Sequence, residues 1–344
     1  METATQKIKA KALQLGFTKV GVARAEELRE EATHLHEWLQ RGYHATMGWM
    51  KENAEKRTDP GLVVNGARSV ISLAMNYFTP VQHSSEPGVG KISRYAWGDD
   101  YHDIVLEKLK GLWLWMQREF PGAQGRYYVD TGPVMDKVWA QRAGVGWIGK
   151  HTNVISQEMG SWIFLAELIT TLELEYDQPA TDHCGTCTLC LDACPTNAIV
   201  EPYVVDSNRC ISYLTIEHRG EIEGELKNQF EGWIYGCDIC QDVCPWNHKF
   251  SSETDEPRFH PREWNVAPRL HEWRDLTQEE FTRKFKDSPI KRTKLDGLLR
   301  NVRGVLERVK RAGGRPRPES APDASNSIDT KTKAGPHHDE RKSP

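Results

Sequence analysis

A mixed α/β fold with an appended cysteine-rich module is predicted by three observations. Apolar helical stripes alternate with strand-length apolar runs over residues 1–178. All eight cysteines of the 344-residue chain fall between Cys184 and Cys244. After them comes a basic segment with helical apolar spacing, and then a polar tail.

Along the chain, residues 4–15 read as a short helix and Phe17–Ala23 as a strand. Glu26–Gln40 sets Leu28, Ala32, Leu35 and Leu39 on one stripe and is therefore helical. Val70–Tyr77 is an apolar strand. Tyr101–Phe120 carries Ile104, Val105, Leu109, Leu112 and Met116, a second strong helix. Tyr127–Asp130 reads as a strand end, Val134–Arg142 as a helix and Ser161–Thr171 as a buried strand. The expected division is an α/β domain over 1–178, a cluster module over 179–250, a basic helical region over 251–312 and a tail over 313–344. The tail has five prolines and almost no large apolar residues, so disorder is expected there.

Hydrophobic residues make up 38% of the chain, enough for a core, and the length suits about two domains. No apolar run could span a bilayer. The opening METATQKIKAKALQLG has neither an apolar signal core nor a twin arginine, so a cytoplasmic location is expected.

The first four cysteines read Cys184-Gly-Thr-Cys187-Thr-Leu-Cys190-Leu-Asp-Ala-Cys194-Pro195. This is the C-x2-C-x2-C-x3-C-P run of bacterial two-cluster ferredoxins, in which the fourth cysteine ligates the other cluster. Cys210, Cys237, Cys240 and Cys244 form a second set, again closed by a proline, Pro245. Alignment of the sets puts Ile234 where Cys184 stands, so Cys210 is the cysteine left to complete the second set. The expected ligands are Cys184, Cys187, Cys190 and Cys244 for one [4Fe–4S] cluster, and Cys194, Cys210, Cys237 and Cys240 for the other. Zinc would suit paired C-x2-C knuckles but does not explain two C-x3-C-P endings. Disulfides do not suit a chain with no mark of secretion.

Net charge is only −4, yet Thr282–Pro318 holds thirteen Lys or Arg against three acids. Leu295, Leu298, Leu299, Val302, Val305 and Leu306 recur within it at helical spacing. A folded basic helix follows, serving either a nucleic-acid contact or solubility.

Some 180 residues precede the cysteines, more than an electron carrier needs, and two stretches among them are rich in reactive side chains. One runs from Ile92 through Arg94, Tyr95, Trp97 and Asp100 to Tyr101 and His102. The other runs from Val129 and Asp130 through Pro133, Asp136 and Lys137 to Gly144, Gly146, Gly149, Lys150 and Asn153. The glycines do not have the dinucleotide-binding spacing; they either let backbone approach a large flat ligand or form a turn. Asp130, at a strand end, is either a catalytic group or a cap for the next helix. Tyr95, Tyr101 and His102 are proton donors or ordinary core and rim residues.

Taken together these stretches resemble the epoxyqueuosine reductases, the cobalamin-dependent iron–sulfur family of queuosine tRNA modification. The resemblance covers about residues 15–305. It rests on Arg57-Thr-Asp-Pro60, Ser93-Arg94-Tyr95-Ala96 with Asp100-Tyr101-His102, Asp130-Thr-Gly-Pro133, Gly146-Trp147-Ile-Gly149-Lys150, Gly160-Ser161-Trp162, both cysteine sets, Cys210-Ile-Ser212, Cys244-Pro245-Trp246-Asn247 and Ser288-Pro-Ile-Lys291-Arg292 with Leu299-Arg300-Asn301. It implies a modified cobalamin-binding α/β domain followed by a ferredoxin-like module and a short helical region. The implied cofactors are cobalamin and two [4Fe–4S] clusters, and the implied reaction is epoxyqueuosine to queuosine at the tRNA wobble position.

By the same resemblance Asp130 is the proton donor, which would require burial to raise its pKa. Cobalamin contacts are expected at Arg57, Tyr95, Trp97, Tyr101, His102, Asp130, Lys150, Asn153 and Ser212, and tRNA contacts at Lys291, Arg292 and Arg300. An external donor such as a flavodoxin or ferredoxin, and a monomeric state, complete the expectation. The D-x-H-x-x-G cobalamin motif is absent, since Asp103-Ile-Val105 follows His102; this agrees with base-off binding without a histidine ligand. Asp136 stands where the family is expected to carry Glu, and the folded part is expected to end near Ala312. The competing expectations are a reductive dehalogenase-like corrinoid enzyme and a non-catalytic iron–sulfur electron carrier or RNA-binding protein.

Overall fold

The computed structural model describes residues 2–313. Helix α1, Ala4–Gln14, starts at a capping box in which Thr3 and Gln6 satisfy each other's backbone donors. Strands β1 (Lys19–Arg24), β2 (Ser69–Asn76), β3 (Gly125–Tyr128) and β4 (Ile163–Thr170) form one sheet in the order β1-β2-β4-β3. Every pairing in it is antiparallel. The expected strands therefore form within a few residues of their predicted bounds. Alternation of helices and strands does not by itself fix strand direction.

Every residue of β2 is buried, as a central strand covered on both faces must be. One face, with Ile71, Leu73, Met75, Ala166 and Leu168, packs on Ile8 and Ala12 of α1 and on Ile104, Leu109 and Leu112 of α2 (Tyr101–Glu119). The other, with Val70, Ala74 and Ile169, packs on Val138, Trp139 and Ala140 of α3 (Asp136–Arg142). The end of α3 lies so close to β1 that a Cβ at Gly21 would stand 1.9 Å from the Ala143 carbonyl oxygen. That contact requires glycine.

Each cysteine set opens a one-turn helix, α4 (Leu189–Asp192) and α6 (Ile239–Asp242), with α5 (Ile211–Ile216) between them. Ser93 Oγ and the Arg94 backbone N–H both donate to the Asp238 carboxylate, so the Cys237–Cys240 loop is tied to the first domain.

The long carboxy-terminal helix α7 (Lys294–Gly313) buries Leu298, Val302 and Val305 in a core with Ile92, Ala96, Trp97, Ile234, Trp273 and Phe285. Residues 91–97 thus pack with segments from beyond both domain boundaries expected at 178 and 250. The expected disordered tail lies outside the described residues apart from Gly313.

Trp97 is fully buried in this core, its Nε1 donating to the Ile92 carbonyl at 2.8 Å. It is a packing residue, not a cofactor contact. Trp97→Ala is expected to lower stability by about 3–5 kcal/mol, read by denaturant unfolding of the apoprotein, without changing cobalamin affinity per folded molecule.

Candidate active site

None of the cysteines is in a disulfide, and their spatial neighbours sort them. Cys190 is crowded by Cys184, Cys244 and Cys187, and Cys244 by Cys184 and Cys187. Cys240 is crowded by Cys210 and Cys194, Cys237 by Cys240 and Cys210, and Cys210 by Cys194. Cys240 also lies near Cys190, where the two groups adjoin. Burial first, and then the neighbouring sulfurs, push these thiols up, Cys190 to about 11. Four crowded sulfurs need a compensating cation to ionise together, and an iron–sulfur cluster supplies it. The donor set fits two cubanes, one for each group.

A cavity of about 2410 Å³ opens beside the second group: Cys194, Cys210, Cys237 and Cys240 line it, and the other four cysteines do not. Drug-sized sites occupy roughly 300–1,000 Å³, so there is room for a macrocycle together with a substrate. Three buried polar atoms on lining residues lack any protein partner: Arg57 Nε, Asp136 Oδ1 and His151 Nε2. Unsatisfied buried groups are costly and point to a ligand or a missing proton. The lining suits a large amide-bearing ligand such as a corrinoid.

Asp130 sits two residues beyond β3, in a bend with φ 57°. This is the left-handed region, which Asp and Asn tolerate better than most residues. The capping alternative does not hold, because the N-cap of α3 is Met135. Asp130 Oδ2 accepts from the Tyr101 hydroxyl at 2.8 Å and lies 3.5 Å from His102 Nε2. His102 Nδ1 in turn donates to Asp100 Oδ1 at 2.7 Å, and Tyr101 is stacked on Phe164 with ring centroids 4.2 Å apart.

The Asp130 side chain is 64% exposed within the open cavity; desolvation by the surrounding wall raises its carboxyl, but the ion pair with His102 and the hydrogen bond from Tyr101 outweigh it and hold the group below its usual range. Burial would lower His102, yet the hydrogen bond to Asp100 and the ion pair with Asp130 raise it to about 9. The burial-raised carboxyl expected at Asp130 is thus reversed. At neutral pH the proton of the pair resides on His102, 3.5 Å from the carboxylate it can recharge.

The cavity brings together most residues expected from sequence: Arg57, Tyr95, Tyr101, His102, Asp130, Asn153, Ser212, Lys291 and Arg292 all line it. Arg57 donates to the Gly132 and Trp49 carbonyls and Tyr95 to the Tyr235 hydroxyl. Three expected residues stand elsewhere. Trp97 is in the core. Lys150 Nζ donates to the Gly185 and Cys187 carbonyls, so it braces the first cysteine loop. Arg300 spends its guanidinium on the Leu214, His218 and Gly220 carbonyls and Asn301 Oδ1, which leaves nothing for a phosphate. The loop glycines form a turn: none of the three lines the cavity, and a Cβ at Gly146 would come within 2.4 Å of the Ile155 carbonyl oxygen.

Several site residues are not assigned from sequence. Lys137 Nζ donates to Asn153 Oδ1 at 3.2 Å and feels both Asp130 and Cys240, placing it between the acid and the second cysteine group. His151 accepts from the Asn153 N–H on Nδ1 and is held down to about 4 by burial. It is therefore neutral, with its Nε2–H unpartnered. At the exposed edge Lys294 joins Lys291 and Arg292, and the Arg292 guanidinium lies 5.3 Å from the Trp49 ring centroid. The run Met135-Asp136-Lys137 was the available signal for Lys137; its direction was not readable.

Comparison with known proteins places this arrangement. Residues 57–131 match the family described as "Epoxyqueuosine reductase QueG, DUF1730", and residues 183–247 match "4Fe-4S double cluster binding domain". An epoxyqueuosine reductase of Cellulophaga algicola is 48% identical over 295 residues, covering 86% of this chain and 95% of that protein. The chain belongs to the epoxyqueuosine reductase family. An epoxyqueuosine reductase of Synechocystis is likewise 48% identical, over 84% of this chain and all of that protein. A crystal structure of epoxyqueuosine reductase with a tRNA-Tyr epoxyqueuosine-modified stem loop superposes with TM-score 0.83 at 31% identity, covering 89% of this chain and 82% of that one. Like other epoxyqueuosine reductases, the chain carries a two-cluster module, and it binds two [4Fe–4S] clusters. No helix among the described residues is long and apolar enough to cross a membrane.

Proposed function

We propose that the chain reduces epoxyqueuosine to queuosine at the wobble position of tRNA. The observation that carries this is one cavity lined both by four cluster cysteines and by the Tyr101–Asp130–His102 network, with Lys291, Arg292 and Lys294 at its exposed edge. Cobalamin is the cofactor proposed for the cavity, held by Arg57, Tyr95, His151, Asn153 and Ser212. Bound there, it would supply a metal that takes electrons singly and acts on the epoxide carbon.

The chain's own residues do the rest. The Cys194 group, which lines the cavity, passes electrons into it, and the Cys184 group, which does not, receives them from outside. A small carrier such as a flavodoxin or ferredoxin is the proposed donor, and a cytoplasmic monomer the proposed working state. Asp130 relays to the opening oxygen the proton that His102 carries at rest, and Asp100 fixes the orientation of His102. Arg57 Nε and His151 Nε2–H remain free to meet acceptor groups of the ligand.

The test is an anaerobic assay with epoxyqueuosine-containing tRNA, reductant, and protein loaded with clusters and cobalamin. Loss of one oxygen from the nucleoside, dependent on both cofactors, is expected. A fully loaded and reduced protein that removes no oxygen rejects the function.

The basic edge gives a separate prediction. Lys291→Ala with Arg292→Ala is expected to weaken tRNA binding and flatten its dependence on salt by roughly one unit of log–log slope, or somewhat less, per lost phosphate contact. Cluster spectra should not change. Affinity equal to the parent protein at moderate salt would mark these residues as solvated charges only.

A further inference from the structure

Epoxide reduction, on which this inference rests, consumes two protons with its two electrons. The chain Asp100–His102–Asp130 holds one. A second acidic group lies in the wall of the same cavity. Ser72, Glu167 and Tyr128 stand directly opposite one another across β2, β4 and β3, in the face of the sheet that α3 covers. Glu167 has no exposed surface, and Asp136, the first residue of α3, lines the cavity. The Ser72 hydroxyl donates to Glu167 Oε1 at 3.4 Å. Glu167 Oε2 and Asp136 Oδ1 are both shielded from water and have no donor of their own.

The two carboxyls interact directly. Ionised carboxylates only accept hydrogen bonds, so two such oxygens in contact are satisfied only by a proton between them. The other groups facing the pair are Arg57, Asp130, Lys137, the Ser72 hydroxyl and Tyr128. Burial, and then the charge of Asp136, hold Glu167 well above the usual carboxyl range; burial raises Asp136 as well, but the hydrogen bond with Glu167 opposes that rise, and Asp136, unlike Glu167, lines the cavity. The proton therefore sits on Glu167, with Asp136 as its acceptor.

We propose that Asp136 and Glu167 share one stored proton in the resting protein, and that this pair supplies the second proton of the reaction through Asp136 to the cavity. The balance closes. One proton, from His102 by way of Asp130, goes to the oxygen as the ring opens. Two electrons arriving through the clusters leave the two carbons joined by a double bond as both C–O bonds break. The stored proton completes the departing oxygen as water. Glu167 is a positioning residue in this scheme, because it acts only through Asp136.

Infrared difference spectroscopy of the folded protein, with Glu167→Gln and Asp136→Asn as comparisons, reads the stored proton without turnover. A protonated-carboxyl band at neutral pH is expected in the parent protein, absent from Glu167→Gln and displaced in Asp136→Asn. In the loaded enzyme Glu167→Gln should lower kcat by about 10²-fold, the lower end of a general-acid effect, with KM for tRNA unchanged. If Glu167→Gln does not fold, Asp136→Asn, at the cavity wall, gives the same two readings. No band sensitive to either substitution overturns the shared proton, whatever the activity. A sensitive band with kcat unchanged from neutral to alkaline pH overturns the supply role. Failure of the epoxide assay itself leaves the infrared result standing, so the two readings fail separately.

Discussion

Asp130→Asn is expected to lower epoxide reduction by roughly 10²–10⁴-fold, the range for losing a general acid, while clusters and cobalamin still load. Asn is the substitution to use for three reasons. It tolerates the left-handed backbone at φ 57° better than Ala does. Its amide oxygen keeps the acceptor for the Tyr101 hydroxyl, 2.8 Å away. It cannot carry the proton that His102 delivers across 3.5 Å. His102 should also lose part of its elevation from about 9, because one of its two carboxylate partners is gone. The check is single-turnover oxygen loss from tRNA beside cluster and corrinoid spectra. Near-normal turnover in a fully loaded Asn variant removes Asp130 from the chemistry. Loss of corrinoid alone makes it a cofactor contact instead.

Cys210→Ala should abolish turnover through a different failure. Cys210 precedes α5 as its N-cap residue, far in sequence from the C-x2-C runs, yet it lies beside Cys194, Cys237 and Cys240 at the cavity. Without it the cluster facing the cavity has three thiolates, and electrons from the outer group reach no acceptor. Iron content should fall toward half. One reduced-cluster signal should be lost from electron-spin spectra, and the other, from the Cys184 group, should persist. Two unaltered signals would overturn the crossed ligation.

That the chain carries two clusters was legible because ligand spacing is set by the cluster, not by the surrounding fold. The strands and the helix from Tyr101 were legible because burial imposes period 2 or 3.6 on the apolar residues. Residue type could not say which way a side chain points. Trp97, Lys150 and Arg300 looked like ligand contacts, but their partners are the carbonyls of Ile92, Cys187 and Gly220. Of these, the last lies 80 residues from Arg300 in the chain. Glu167 was read only as part of a buried strand, since its neighbour Asp136 is brought to it by the packing of α3 on the sheet. The antiparallel order of that sheet was similarly set by connections that leave no periodic trace.

The strand Lys91–Ile92 pairs in parallel with Trp233–Tyr235, and the core it joins is completed by α7. This fixes an order of events during synthesis. When residue 178 leaves the ribosome, Ile92, Ala96 and Trp97 still lack the surface they will cover, and Ser93 and Arg94 still lack Asp238. Closing so long a loop is slow, and exposed apolar surface invites aggregation in the interval. The Cys237–Cys240 loop is tied to the same segment through Asp238. The loop that carries two cluster cysteines and the closure of the amino-terminal core are therefore joined at Asp238, and both wait on the last part of the chain to be made.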